Sequence, residues 1–238
     1  IISNHISPQF NQCRLPPLGN NMKHYVITIL DNPRSVKVAD RCIKSGSNFG
    51  IEIEKWKATT PKDDPIGMMV DQGIAYRHFN EKYSRVANCI AAFMSHHSLW
   101  KECVETGEEV TIFEHDAVIK GNIPDKMQYQ GCVSLGEPSY GKYITPTTIG
   151  VNALTSKAYF PGAHAYRVKP VGAKMLVDLA KQFARPTDIF LNNTMFPFLE
   201  EYYPWPVVAD DAFSTIQNAN GIQAKHGYVK RGNDYEII

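Results

Sequence analysis

Val110-Thr111-Ile112-Phe113-Glu114-His115-Asp116-Ala117-Val118-Ile119 is an apolar run interrupted once, by an acid, a histidine and a second acid. Its first four residues, rich in β-branched and aromatic types and shortly after Gly107, predict a buried strand that stops where the charges begin. The acids then sit at the strand's carboxyl end, where open α/β sheets place their ligands. Two carboxylates with one residue between them suit a hard divalent cation that also holds phosphate oxygens. The plainer alternative is a pair of solvated turn acids. Apolar residues on both sides weigh against it, and the stretch alone leaves the two readings balanced.

Working outward, His24 to Leu30 reads as the first buried strand, and Asp31-Asn32-Pro33 is both a turn signal and a helix start. Val36, Ala39 and Ile43 follow at helical spacing until Ser45-Gly46-Ser47 ends the pattern. Ile51 to Trp56 alternates as a half-buried strand and leads into a polar loop from Thr59 to Pro65. Strand, helix and strand in so short a span predict a right-handed parallel unit. The loop after its first strand would face the same crevice as Glu114 and Asp116. Arg34 is thus a candidate ligand contact, against the alternative of a solvated cation at a helix start.

From Asn88 to Thr106 a wide apolar face, with Ile90, Phe93, Trp100 and Val104 on one stripe, predicts a buried helix stopped by Gly107. His96 and His97 on that helix read as core histidines bonded to backbone or water. Further on, Cys132 to Gly136 predicts a short strand. The Gly, Pro, Tyr and Thr-rich section from Glu137 to Thr155 predicts a long loop of the kind that forms binding lids. Tyr159 to Val168 predicts a strand, and Pro170 opens a helix carrying Met175, Leu176, Leu179 and Phe183. Asp188 falls in a second helix start at Pro186-Thr187-Asp188, where an acid needs no catalytic role. The tail holds Asp210-Asp211 and a basic segment from Lys225 to Arg231, and no internal repeat is visible.

With 238 residues, 43% hydrophobic and 21% charged, the chain has an ordinary globular composition with room for one large α/β domain. The formal charge of +1 includes no run of like charges that would serve as a nucleic-acid arm. Cys13, Cys42, Cys89, Cys103 and Cys132 are odd in number and lack a C-x-x-C pair, which fits a reducing compartment better than a disulfide scaffold or zinc ribbon. No apolar window reaches membrane-helix length and no signal-peptide pattern opens the chain, so a cytoplasmic location is expected. Residues 1–21 are polar and aperiodic. They read as an upstream-translated or vector-derived leader, leaving 22–238 as the folded domain.

Ser95-His96-His97-Ser98-Leu99-Trp100 resembles the S-H-x-x-L-W helix of family 25 glycosyltransferases, the group containing lipooligosaccharide and procollagen galactosyltransferases. Tyr25 to Asp31 is similar to the family's opening strand and N-L-D turn. Ile112-Phe113-Glu114-His115-Asp116 resembles its I-L-E-D-D motif, and Gly162-Ala163-His164-Ala165-Tyr166 its G-T-H-A-Y segment. Gly172-Ala173 with Leu176 resembles the small-residue helix that follows, and Pro186-Thr187-Asp188 the P-x-D beyond it. The likeness spans roughly Met22 to Asp188. His115 departs from it by replacing the middle acid, Ala91 stands where glycine is frequent, and Leu30 precedes Asp31 where asparagine is usual.

The resemblance implies a GT-A type domain, a Rossmann-like mixed sheet with helices on both faces, and a nucleotide-sugar donor, expected to be a UDP-sugar. It implies an inverting transfer of a hexose to a hydroxyl acceptor. Glu114 and Asp116 are then the expected ligands for Mn2+ or Mg2+. Arg34, His115 and His164 are the expected donor contacts, with a buried strand histidine as the alternative for His164. Asp188 is the first candidate for the catalytic base and Asp211 the second. Two other readings stand beside this one: a silent GT-A-like module that only binds a nucleotide or glycan, and a metal-dependent phosphoesterase built from Glu114, His115, Asp116 and His164. The acceptor, whether glycan, protein or modified base, is left open.

Overall fold

The computed structural model describes residues 22–80, 82–210, 213–221 and 236–238. Its frame is laid down first by a strand, helix and strand: β1 (Lys23–Thr28), α1 (Pro33–Ser47) and β2 (Glu54–Lys57). Asn32 caps α1, its side chain accepting from the Arg34 and Ser35 backbone N–H groups, and Pro33 occupies the first turn where its missing N–H costs nothing. The two strands lie parallel, with Tyr25 opposite Glu54 and Thr28 opposite Lys57. After α2 (Pro65–Asp71), the long α3 (Val86–Thr106) ends at Gly107, whose φ of 70° is the left-handed conformation a helix stop uses. It delivers the chain to β3 (Val110–Glu114), which pairs parallel to β1.

Beyond β3 the chain turns at once into β4 (Ala117–Ile119), outside the main sheet. The sheet is completed by β5 (Cys132–Ser134), β6 (Gly150–Ala153), β7 (Ala165–Val168) and β8 (Leu199–Tyr203). Between β7 and β8 lie α4 (Pro170–Phe183) and the single turn α5 (Thr187–Phe190). The strand order is β2-β1-β3-β7-β5-β8-β6, in which β7 runs antiparallel to both β3 and β5, and β6 antiparallel to β8. A small side sheet pairs β4 with β9 (Val207–Ala209), and β10 (Phe213–Ser214) pairs with β11 (Glu236–Ile237).

The central strands carry buried apolar side chains on both faces, and helices cover both. Tyr25, Ile27, Ile112, Tyr166 and Val168 enter the core shared with α2, α3 and α4, while Val26, Phe113 and Ala165 enter a second core against α1 and β4. Alternate residues of a strand point to opposite faces, so each strand feeds both cores. Trp100 is fully buried and packs edge-on to Phe93 and stacked on Phe190, tying α3 to α5. Burial of each such side chain contributes about 1.5–3 kcal/mol. The predicted Rossmann-like mixed sheet with helices on both faces is the architecture observed. No described helix is long and apolar enough to cross a membrane.

The local differences from the sequence reading have physical causes. Ile51 and Ile53 alternate inward as expected, yet ladder pairing begins only at Glu54. The polar loop after β2 runs through a 3-10 turn at Pro61–Asp63 into α2, whose Pro65 and Asp64 cap signal sit inside a stretch that reads as punctuation. Edge strand β6 lies within the expected lid, where half-exposed residues leave no alternation to see. The strand predicted from Tyr159 shortens to β7, because Gly162 and Ala163 adopt positive φ. Residues 1–21, Asp211 and the basic segment Lys225 to Arg231 lie outside the described residues.

Two properties of this packing are testable. A Cβ on Gly172 of α4 would lie 2.3 Å from the Gly131 carbonyl oxygen, which is backbone and has little freedom to move. Gly172→Ala should destabilise by about 1–3 kcal/mol, read as a lower melting temperature. Burial also holds His24, His96 and His97 down from 6.5 to about 4, 3 and 4 respectively. The unfolded chain therefore binds protons that the folded one refuses as pH falls below 6.5. Stability should drop toward pH 4.5 with a slope approaching ~1.4 kcal/mol per pH unit for each histidine. Urea midpoints at pH 7, 6 and 5 measure this, and a flat profile would contradict neutral burial.

Candidate functional site

The turn after β3 is held in place by backbone hydrogen bonds. Glu114 N–H donates to the His164 carbonyl at 2.9 Å, fixing the strand end against β7. The Asp116 carbonyl accepts from Asp210 N–H at 2.9 Å, and Arg41 anchors Asp210 through its carboxylate at 2.8 Å. Asp116 Oδ1 is buried and has no hydrogen-bond partner among the described residues. A buried carboxylate oxygen without a donor is costly unless a cation or a donor joins it. Among the described residues no three His, Cys, Asp or Glu side chains converge as a self-sufficient metal cage. A cation held here would have to complete its shell with ligand or water oxygens, as hard divalent ions commonly do.

Glu114 is oriented by a chain of neutral groups. Trp100 Nε1–H donates to the Tyr166 hydroxyl at 2.8 Å, and that hydroxyl lies 2.9 Å from His96 Nδ1. His96 Nε2 in turn lies 3.2 Å from Glu114 Oε1. His96 is 1% exposed and its pKa is held to about 3 by burial, so the ring is neutral. With Trp100 donating to it, Tyr166 is free to donate onward to Nδ1, and Nε2 then carries the hydrogen that reaches Glu114. His96 is thus a core histidine, as the sequence suggests, but its partners are a tyrosine and the acid of the site rather than backbone or water. His97 is the apolar counterpart, packed on Phe93 and Trp100.

His115 is held from two sides. Its Nδ1 lies 2.7 Å from Ser35 Oγ in the first turn of α1, and its ring meets Phe213 edge-on at 5.6 Å. Arg34 lies over Phe213, 4.7 Å from the ring centroid, and pairs with Glu236 at 2.5 Å. Arg34 therefore lines neither compartment of the cleft described next; it buttresses the ring that backs His115.

Two connected hollows meet at Glu114 and His115. The first, about 540 Å³ and open to solvent, lies between the loop Ala58 to Pro61 and the small residues Ala91, Ala92 and Ser95 of α3. The second, about 830 Å³, adds Asp116, Ser139, Tyr140, Gly162 and Asp188. Thr215 and Ile216 border both. Asp188 accepts a short hydrogen bond from the Tyr140 hydroxyl, and burial with the neighbouring carboxylate raises the Tyr140 pKa so that it stays a donor. Four of the predicted site residues, Glu114, His115, Asp116 and Asp188, thus share one cleft. His164 is 2% exposed and packs its ring on Gly136, where a Cβ would come within 2.4 Å of Nε2; it shapes the wall behind the cleft.

The sequence reading misses Ser35, Tyr140, Tyr166 and the segment 213–217. Each acts through a partner far away in the chain, and no local pattern marks it. Near the second hollow, Tyr143, Trp205 and Tyr203 form an edge-to-face series with centroids 5.6 and 5.2 Å apart. Tyr143 donates to Glu137 at 2.9 Å, on the loop that also carries Ser139 and Tyr140.

The solved apo-form glycosyltransferase GlyE of Streptococcus pneumoniae TIGR4 is similar over 81% of this chain, at 10% identity and a TM-score of 0.38. This chain spans 46% of that protein's length. No curated protein matches the chain in sequence. A family model does match, that of glycosyltransferase family 25, described as LPS biosynthesis protein, over residues 21–135. That segment runs from β1 through α3 and the Glu114-His115-Asp116 turn to β5, and over it the chain is similar to glycosyltransferase family 25.

Proposed function

We propose that the chain is a metal-dependent, inverting glycosyltransferase that moves a sugar from a UDP-sugar to a hydroxyl acceptor. The observation that carries this reading is the position of the Glu114-His115-Asp116 turn where two hollows join. A nucleotide sugar has the matching layout, a flat base at one end, a sugar at the other and a diphosphate between. The first hollow offers the base a slot against Ala91 and Ala92, whose small side chains let it approach α3. The sugar and acceptor would occupy the second.

Glu114 and Asp116 would hold the divalent cation, and the orphaned Asp116 Oδ1 fits that role. When bound, such an ion neutralises charge on the departing diphosphate. Asp188 would take the proton of the acceptor hydroxyl as it attacks the anomeric carbon from the face opposite the diphosphate, which inverts the configuration. Tyr140 orients Asp188 for this step through its hydrogen bond. Acceptors would approach past Tyr143 and Trp205, aromatic faces with polar tips that suit a glycan. Asp211 as an alternative base and the cytoplasmic location are kept as proposals.

Incubation with a panel of UDP-hexoses and Mn2+, with UDP release as the readout, tests the reading. Wild type should release UDP only when metal is present, and Asp116→Ala or Glu114→Gln should lower the rate by about 10²–10³-fold, the scale of losing one electrostatic stabiliser, while the thermal melt stays cooperative. Asp188→Asn should keep UDP affinity and lose transfer to acceptor. Metal-independent turnover surviving both substitutions would overturn metal dependence, and UDP binding without any sugar release would favour a binding module.

A further inference from the structure

His115 occupies the position at which the family resemblance expects an acid, and its chemistry follows from the group behind it. Ser35 is fully buried, and its Oγ accepts the Ile29 backbone N–H at 3.0 Å. The same oxygen lies 2.7 Å from His115 Nδ1. A serine hydroxyl has one hydrogen to give, and among the described residues His115 Nδ1 is the acceptor it finds. In the opposite arrangement Ser35 would accept twice, and its own hydrogen would be buried without a partner. That costs about 1–3 kcal/mol. Ser35 therefore donates to Nδ1, which places the ring proton on Nε2.

Phe213 closes the ring's flank, and His115 lines both hollows while Nε2 has no hydrogen-bond partner among the described residues. We infer that His115 serves this site as a hydrogen-bond donor, its Nε2–H binding an oxygen of the donor's diphosphate, and that it is not a metal ligand. A protonated ring nitrogen has no lone pair to offer a cation. An acid at this position would present the diphosphate with acceptors only, whereas this ring presents a donor. The cation would then meet only oxygen ligands, which selects Mg2+ or Mn2+ over the nitrogen-seeking Zn2+ or Ni2+.

The inference rests on the nucleotide-sugar reading for its ligand but not for its tautomer, and two measurements separate them. In protein labelled with 15N-histidine, long-range proton–nitrogen spectra of wild type and His115→Phe assign the ring; Nε2 should be protonated and Nδ1 bare. UDP titration by calorimetry is then run with Mg2+ and again with EDTA. His115→Phe should weaken UDP binding by about tenfold, the scale of one hydrogen bond to a charged group, in both buffers alike. A bare Nε2 in the spectrum, or a loss confined to the Mg2+ titration, overturns the inference in favour of a metal-ligating histidine. A wild type with the expected spectrum that binds no UDP in either buffer overturns the nucleotide reading and, with it, the diphosphate as this histidine's partner, while the tautomer stands.

Discussion

The arrangement depends on orienting a carboxylate at the end of a buried strand. The hydrogen-bond series from Trp100 through Tyr166 and His96 reaches it with neutral donors. Burial makes this possible, because the same desolvation that pushes the His96 pKa to about 3 keeps the ring from becoming a counter-ion. Trp100 and Tyr166 also fill the larger core with aromatic surface, so groups that orient the acid also hold α3 against the sheet. Folding and site geometry are one set of contacts here, and loosening either would loosen both.

Much of this was legible in the sequence. The run from Val110 to Ile119 exposes its logic locally, because a strand buried on both faces is mostly apolar, and charges at its end have few innocent explanations. The buried helix around Trp100 and the Pro170 helix start are equally local signals. Asp188 could be named from sequence only through the family resemblance, yet the fold brings it into the cleft with Asp116. What could not be read were pairings set by tertiary approach. Ser35 looks like one more polar residue near a helix cap, and its meaning lies in a histidine 80 positions away. Arg34 showed the converse, a cation at the right loop whose partners turn out to be Phe213 and Glu236.

The sheet order explains why the cleft opens where it does. β3 and β5 both run toward it, and antiparallel β7 enters between them from the cleft side. The entering chain must pass a narrow gap, and it does so with Gly162 at φ 89° and Ala163 at φ 47°. A Cβ on Gly162 would fall 2.3 Å from Ser139 Oγ, so this wall of the cleft has space for nothing larger. Ala163 pays for its left-handed backbone with about 1–2 kcal/mol, offset by burial of its methyl and by the His164 carbonyl that receives Glu114 N–H. The strain at the start of β7 and the fixed position of Glu114 are therefore two ends of the same contact. A larger residue at 162 would disturb the acid without touching it, through the backbone of the strand beside it.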